Sequence, residues 1–405
     1  MLERRVAQVA AMLSGTATDP GELFAPSFLA AVPAERVRAL SQQLLQQLGP
    51  VTTTSVTERT GELAGKWRFH HARGFATPVT ISIEPAAPHR IVGLFLATPS
   101  RLAASFDELA AELRALPGQV SWLVARLDER RIVPLAQHEP DRVLAIGSAF
   151  KLWILAELVR QVEAGERRWE AVVRLDPARR SRPSGTLQTW PAGTPVTVQT
   201  LATLMISQSD NTATDELLHF LGREPVEAAV RATGHATPER NVPFLSTREM
   251  FALKAPANRG LKERFLAGDA PARRAVLAEV GRQAEVPVPD LATPNAIDRL
   301  EWFASANDLA RALLWLRDHT TGARTAPARE LLSVNPGLGL DRTRWPYIGF
   351  KGGSETGVVN LTWLLRDSRG RWVVCIASWN DPTKDVELSR FASLVQRSIE
   401  LAGAP

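Results

Sequence analysis

The chain has 405 residues, 45% of them hydrophobic, including 11 Trp and 14 Phe. It is too long for one ordinary core and too apolar for a disordered protein, so two domains are expected. Its net charge of +5 is spread along the chain rather than gathered in runs, which reads as a solvated, mildly cationic surface and not as a nucleic-acid footprint.

Helices open the chain. Leu2, Val6, Val9 and Leu13 share one helical face. Pro33 starts a second helix with Val37, Leu40, Leu44 and Leu48 on its apolar side, and Gly49-Pro50 ends it. Four strand-like segments follow: Val51 to Thr57, Leu63 to His71, Val79 to Glu84 and Arg90 to Ala97. His70 and His71 are neighbours on one of them, so their side chains face opposite ways, and two solvated or core histidines are expected rather than a metal pair. Ser105 with Glu108 predicts a capping box for a helix carrying Phe106, Leu109, Leu113 and Leu116. Pro117-Gly118 then breaks the chain. The expected division is an α+β domain over 1–116 and a second domain over 117–405.

The second domain starts with a hairpin, Val120 to Leu127 and Ile132 to Ala136, around Asp128 to Arg131. A largely helical stretch runs from about Ser148 to His319. Tyr347 to Ser354, Val358 to Leu365 and Trp372 to Trp379 read as three consecutive antiparallel strands, and Leu388, Phe391, Val395 and Leu401 mark a closing helix. Strands at both ends of the domain thus enclose a helical insert, which implies one sheet assembled from distant segments.

Cys375 is the only cysteine; no intrachain disulfide and no zinc site built on two cysteines can form. The segment Met1 to Gly15 has Glu3, Arg4 and Arg5 and only a short apolar patch. No later stretch reaches transmembrane length. The expectation is a soluble cytoplasmic protein without a membrane partner, or a secreted one if an export signal was trimmed.

Three short strings carry the chemistry: Ser148-Ala149-Phe150-Lys151, Ser209-Asp210-Asn211 and Lys351-Gly352-Gly353-Ser354. Lysine occurs only at 66, 151, 254, 262, 351 and 384, and arginine is the default cation. A lysine is therefore informative where an amine must lose its proton, which arginine does not do. Ser148 is expected in the first turn of a buried helix, where backbone N–H groups favour an oxyanion, with Lys151 on the same face. Burial and a second cation, Lys351, would lower the Lys151 pKa. Each string has an ordinary reading when taken alone: an N-cap serine with a surface lysine, an Asx turn, a glycine bulge. Together they supply a serine ester route for acyl transfer that needs no histidine, metal or cofactor.

In that order the three strings resemble the signature of the active-site-serine penicillin-recognising enzymes, class A β-lactamases and penicillin-binding proteins. The resemblance runs from Val120 to the C-terminus, is close to the family pattern over Met205 to Asp215, and implies a β-lactamase-like α/β sandwich, a five-stranded antiparallel sheet with helices and a helical lobe. It implies that Ser148 attacks a carbonyl, Lys151 takes its proton and Ser209 relays a proton to the leaving group. Backbone N–H groups of Ser148 and Ser354 would hold the oxyanion, and Lys351 would bind a substrate carboxylate. Asn211 would donate to a substrate amide, and the Gly353 strand edge would pair with substrate. The loop Pro183 to Trp190 would line the entrance, with Trp190 read either as an aromatic wall or as a merely packed side chain.

The chain departs from that pattern in two places. The Glu-x-x-Leu-Asn element that activates the deacylating water is absent; Glu239 and Glu249 are the nearby carboxylates, and Glu249 fits a capping box with Ser246. Gly352 stands where the family carries Thr or Ser. These departures, with the N-terminal extension, resemble the two-domain β-lactamase-like esterases of clavulanic acid biosynthesis, whose N-terminal domain is steroid-isomerase-like. The expectation is a serine hydrolase acting on small ester or β-lactam-type molecules, with esterase or weak β-lactamase activity. The alternatives are a β-lactam-acylated sensor with little turnover and a D-Ala-D-Ala peptidase. Oligomeric state is not readable from the chain.

Overall fold

The computed structural model describes residues 1–283, 289 and 291–403. The chain falls into two compact units, Met1–Leu109 with Leu338–Leu340, and Ala110–Gly337 with Asp341–Pro405.

The first unit begins with helices α1 (Leu2–Leu13) and α2 (Ala34–Leu48). Strands β1 (Val51–Arg59), β2 (Ala64–His71), β3 (Phe75–Ile83) and β4 (Ile91–Leu96) then form an antiparallel sheet in sequential order. Its core joins Val6, Val9 and Leu44 of the helices to Trp67, Phe69 and Ile81 of the sheet. Strand β3 starts earlier than its alternation suggested, because it runs through Pro78. The Pro78 carbonyl accepts from Ala97 N, so its missing N–H faces the same side, where the regular pairing with β4 begins only at Val79. His70 Nε2 lies 3.3 Å from Ser55 Oγ, and His71 is held by Gly49 O and Thr77 Oγ1. Ser105 caps helix α3 (Phe106–Arg114) by accepting from Glu108 N, but the Glu108 carboxylate bonds Ala104 N rather than Ser105 N.

The second unit is built on a five-stranded antiparallel sheet. Its strands are β5 (Gln119–Asp128), β6 (Arg131–His138), β7 (Tyr347–Glu355), β8 (Val358–Arg366) and β9 (Trp372–Asn380), in the order β7-β8-β9-β5-β6. Both ends of the domain therefore contribute strands, and β7, which carries the Lys-Gly-Gly-Ser string, is an edge. The helical insert contains α4 (Lys151–Glu163), α5 (Val198–Ser207), α6 (Asn211–Leu221), α7 (Thr247–Lys254) and α8 (Ala306–His319); α9 (Leu388–Ala402) closes the chain.

Helix α4 is buried on nearly every face from Lys151 to Val162. A helix apolar all round needs neighbours on all sides, and α4 supplies the centre of a core shared with α5, α6, α8 and the sheet. Cys375 on β9 is buried on the other face of the sheet from that core's Val374 and Ile376, beside Ser398 of α9, and burial pushes its thiol pKa up. Among the described residues no helix is long and apolar enough to cross a membrane.

Candidate active site

The Ser148-to-Lys151 string enters the fold as a turn rather than as regular helix. Residues Gly147–Phe150 form a 3-10 turn, and α4 begins at Lys151. Gly147 has φ +48, a left-handed conformation that favours glycine. The turn lies directly against β7: a Cβ on Gly147 would come 3.0 Å from Ser354 N, and one on Gly353 would come 2.4 Å from Ser148 N. Glycine at both positions lets the two backbones meet, bringing the N–H groups of Ser148 and Ser354 to one place.

Lys151 is fully buried. Its Nζ is 2.7 Å from Ser209 O, 2.8 Å from Asn211 Oδ1, 3.0 Å from Ser209 Oγ and 3.2 Å from Ser148 Oγ. The two shortest partners are carbonyl oxygens, which only accept. In a neutral amine they take both N–H bonds, and the lone pair is left for a hydroxyl proton. Burial first, and the charge of Lys351 second, hold the Lys151 pKa well below its ordinary value. Lys351 donates to Ser209 Oγ at 3.1 Å and also to Gly352 O. Burial brings the Lys351 pKa down to about 7. Ser209 Oγ thus sits between two amines.

The turn that presents Ser209 is locked from below. Asp210 caps α6 through Ala213 N, while its other oxygen accepts from Thr186 N and Leu187 N. Ser209 itself has φ +56, an unfavourable region for a residue with a Cβ. Asn211 turns its oxygen to Lys151 and donates an amide N–H to Arg182 O at 3.0 Å. Asp215, one turn on, accepts from Thr247 N, Thr247 Oγ1 and Arg248 N, and burial raises its pKa to about 7.

These groups open onto a cleft of about 410 Å³ lined by Ser148, Ser209, Asn211, Lys351, Gly353 and Ser354 together. Trp190 is not among its lining residues; it follows the turn Leu187–Thr189 and is 37% exposed. The aromatic rings in the lining are Phe251, Trp302 and Phe350, and of the entrance loop Pro183 and Ser184 take part. Glu249 closes a capping box with Ser246 and pairs with Arg223, and Glu239 lies in the turn Pro238–Asn241; neither lines the cleft.

Two acids that do line it, Glu301 and Glu355, were not singled out in the sequence. Lys254 Nζ donates to Glu301 Oε1 at 3.1 Å and also to Glu355 Oε1, and all three side chains are buried. Burial and the neighbouring Glu301 raise the Glu355 pKa. The scarcity of lysine that points to 151 and 351 applies equally to 254, so a signal for this cluster was present.

The family model described as the β-lactamase enzyme family matches residues 102–321. The chain belongs to this family. Solved structures of similar fold include a PBP-A variant captured as an acyl-enzyme with penicillin G, at 18% identity and TM-score 0.50, covering 73% of this chain and 95% of that one. A β-lactamase from Sphaerobacter thermophilus is similar at 20% identity and TM-score 0.50, over 74% of this chain and 96% of that one. One from Desulfarculus baarsii is similar at 18% identity and TM-score 0.51, over 75% and 100%. No curated protein matches the sequence.

Proposed function

We propose that the protein is a serine acyl hydrolase working through an ester on Ser148. The reading is carried by Lys151, whose Nζ touches the Ser148 hydroxyl at 3.2 Å while two carbonyl oxygens hold its protons. Lys151 takes the hydroxyl proton as Ser148 Oγ bonds to the carbonyl carbon. The oxyanion is held by the N–H groups of Ser148 and Ser354, preorganised by the meeting of Gly147 and Gly353. Ser209, in contact with both Lys151 and Lys351, passes the proton to the leaving group. Asn211 fixes the amine, and the edge strand β7 offers its Gly353 backbone to substrate. Water then cleaves the ester.

Small esters and β-lactams are the substrate classes, by resemblance to the two-domain esterases and to the family as a whole. The N-terminal unit, helices followed by antiparallel strands, is part of this reading as a steroid-isomerase-like domain.

A second reading, a protein that is acylated and stops, is favoured by one observation. The carboxyl groups lining the cleft, Glu301 and Glu355, are engaged by Lys254. Mixing the protein with benzylpenicillin or a phenyl ester and weighing it intact tests both. A mass increase equal to the acyl group, absent in Ser148→Ala, is expected, with product continuing past one equivalent for a hydrolase and halting there for a sensor. No adduct and an active Ser148→Ala would sink the assignment.

A further inference from the structure

The positive charge available to a substrate in this cleft is small. Among the described lining residues the only cationic side chain is Lys351. Its amine is buried and already donates to Ser209 Oγ and Gly352 O, and burial weakens its hold on the charge, bringing its pKa down to about 7. Lys151 is sealed below the surface and fully engaged.

The strand next to Lys351 also lacks a place for a side-chain donor. Phe350, Gly352 and Ser354 alternate on one face of β7. A Cβ at Gly352 would fall 2.8 Å from Phe350 Cζ and 3.2 Å from Asn360 O. The Phe350 ring, tilted against Trp363 at 4.6 Å between centroids, covers the position a hydroxyl at 352 would use. What remains on that face is the neutral hydroxyl of Ser354.

Acid also lines the cleft: Glu355, next to Ser354 on β7 itself, and Glu301. Glu301 and Glu355 share the single ammonium of Lys254, so with Lys254 protonated the cluster has no net positive charge whenever at least one of the two acids is ionised. The rest of the lining is uncharged: apolar Ile206, Met250, Leu361 and Leu388 beside neutral polar side chains such as Gln208 and Asn335. An ionised carboxylate leaving water for such a site would lose hydration without a free cation to compensate it.

We propose that the cleft selects acyl donors with no carboxylate near the scissile carbonyl, that is, uncharged esters with an apolar leaving group. This rests on the reading of Ser148 as nucleophile. Ser148 Oγ bonds to the ester carbonyl carbon, the C–O bond to the leaving alkoxide or phenoxide breaks, and the leaving oxygen departs with the proton that Ser148 gave up.

Phenyl phenylacetate and 3-carboxyphenyl phenylacetate test it, because both leave the same phenylacetyl group on Ser148 and so share one deacylation step. At pH 8, kcat/KM for the uncharged ester, each rate divided by its buffer rate, should exceed that for the carboxylate by at least about tenfold. Replacing Phe350→Leu together with Gly352→Thr, which opens the ring position and adds a hydroxyl, should narrow the ratio. Equal or faster turnover of the carboxylate ester, with Ser148→Ala inactive, overturns this proposal and leaves the nucleophile standing. Undiminished turnover of both esters by Ser148→Ala overturns both.

Discussion

Gly353 and Ser148 touch backbone to backbone: a methyl group on Gly353 would fall 2.4 Å from the serine nitrogen and 2.2 Å from Ile146 O. Neither atom is the end of a flexible side chain, so a Cβ there must push β7 away from the nucleophile turn. Gly353→Ala is expected to cut acylation by about 100-fold or more, the scale of losing an oxyanion donor, while the protein stays folded. Phenol release from a phenyl ester, set beside the circular dichroism melt, checks this; near-normal rates would show that the two N–H groups do not act together.

Ser209 holds φ +56 for the sake of its hydroxyl. Glycine relieves that strain and alanine does not, yet both remove the same contacts with Lys151 and Lys351. Ser209→Gly should therefore be more stable than Ser209→Ala by roughly 1 kcal/mol in urea unfolding, with both losing activity. Equal stabilities would mean that the turn relaxes.

The Lys351 pKa of about 7 makes stability depend on pH in a definite direction. Between about 7 and the ordinary lysine value of 10.5 the unfolded chain binds the extra proton, so stability rises with pH across that window and is flat in this group below it. Melting temperatures of wild type and Lys351→Met, taken from pH 6.5 to 10, should differ by this slope. Parallel curves would place the lysine in a more solvated setting.

Because burial and the charge of Lys351 hold Lys151 well below its normal pKa, its free amine should be available well below the pH that an exposed lysine would need. The burst rate of acylation is expected to be substantial at pH 7 and to fall as the solution is acidified. A rate that climbs only near pH 10 would remove Lys151 as the base.

Lys254→Met should be among the more damaging substitutions away from the nucleophile. It leaves Glu301 and Glu355 buried without their cation, at a cost of about 3–5 kcal/mol. Adding Glu355→Gln should restore part of that loss in chemical denaturation; no recovery would argue that the lysine acts through packing alone.

Much of this was readable in the chain. The continuous apolar run in Trp372–Asn380 and the apolar periodicity of Lys151–Glu163 are local patterns, and local patterns follow from backbone geometry. The motif strings are legible for a similar reason: a serine three residues before a lysine lies on the same side of the chain wherever it is helical. Phe350 and Glu301 carry no such marking, because an aromatic residue in a strand and an acid between elements suit solvent or core equally well; Lys254 is marked only by the scarcity of lysine.

The sequence by itself determined which alcohol, which amines and which sheet and helices this protein has, since reactive group and periodicity are properties of neighbouring residues. Tertiary structure alone decided that Trp190 stands outside the cleft while Phe350 covers the 352 position, and that two acids lining the cleft share one buried lysine. Those are contacts between segments up to 101 residues apart in the chain, as for Lys254 and Glu355. Only the burial of both partners in one place gives such contacts their energy.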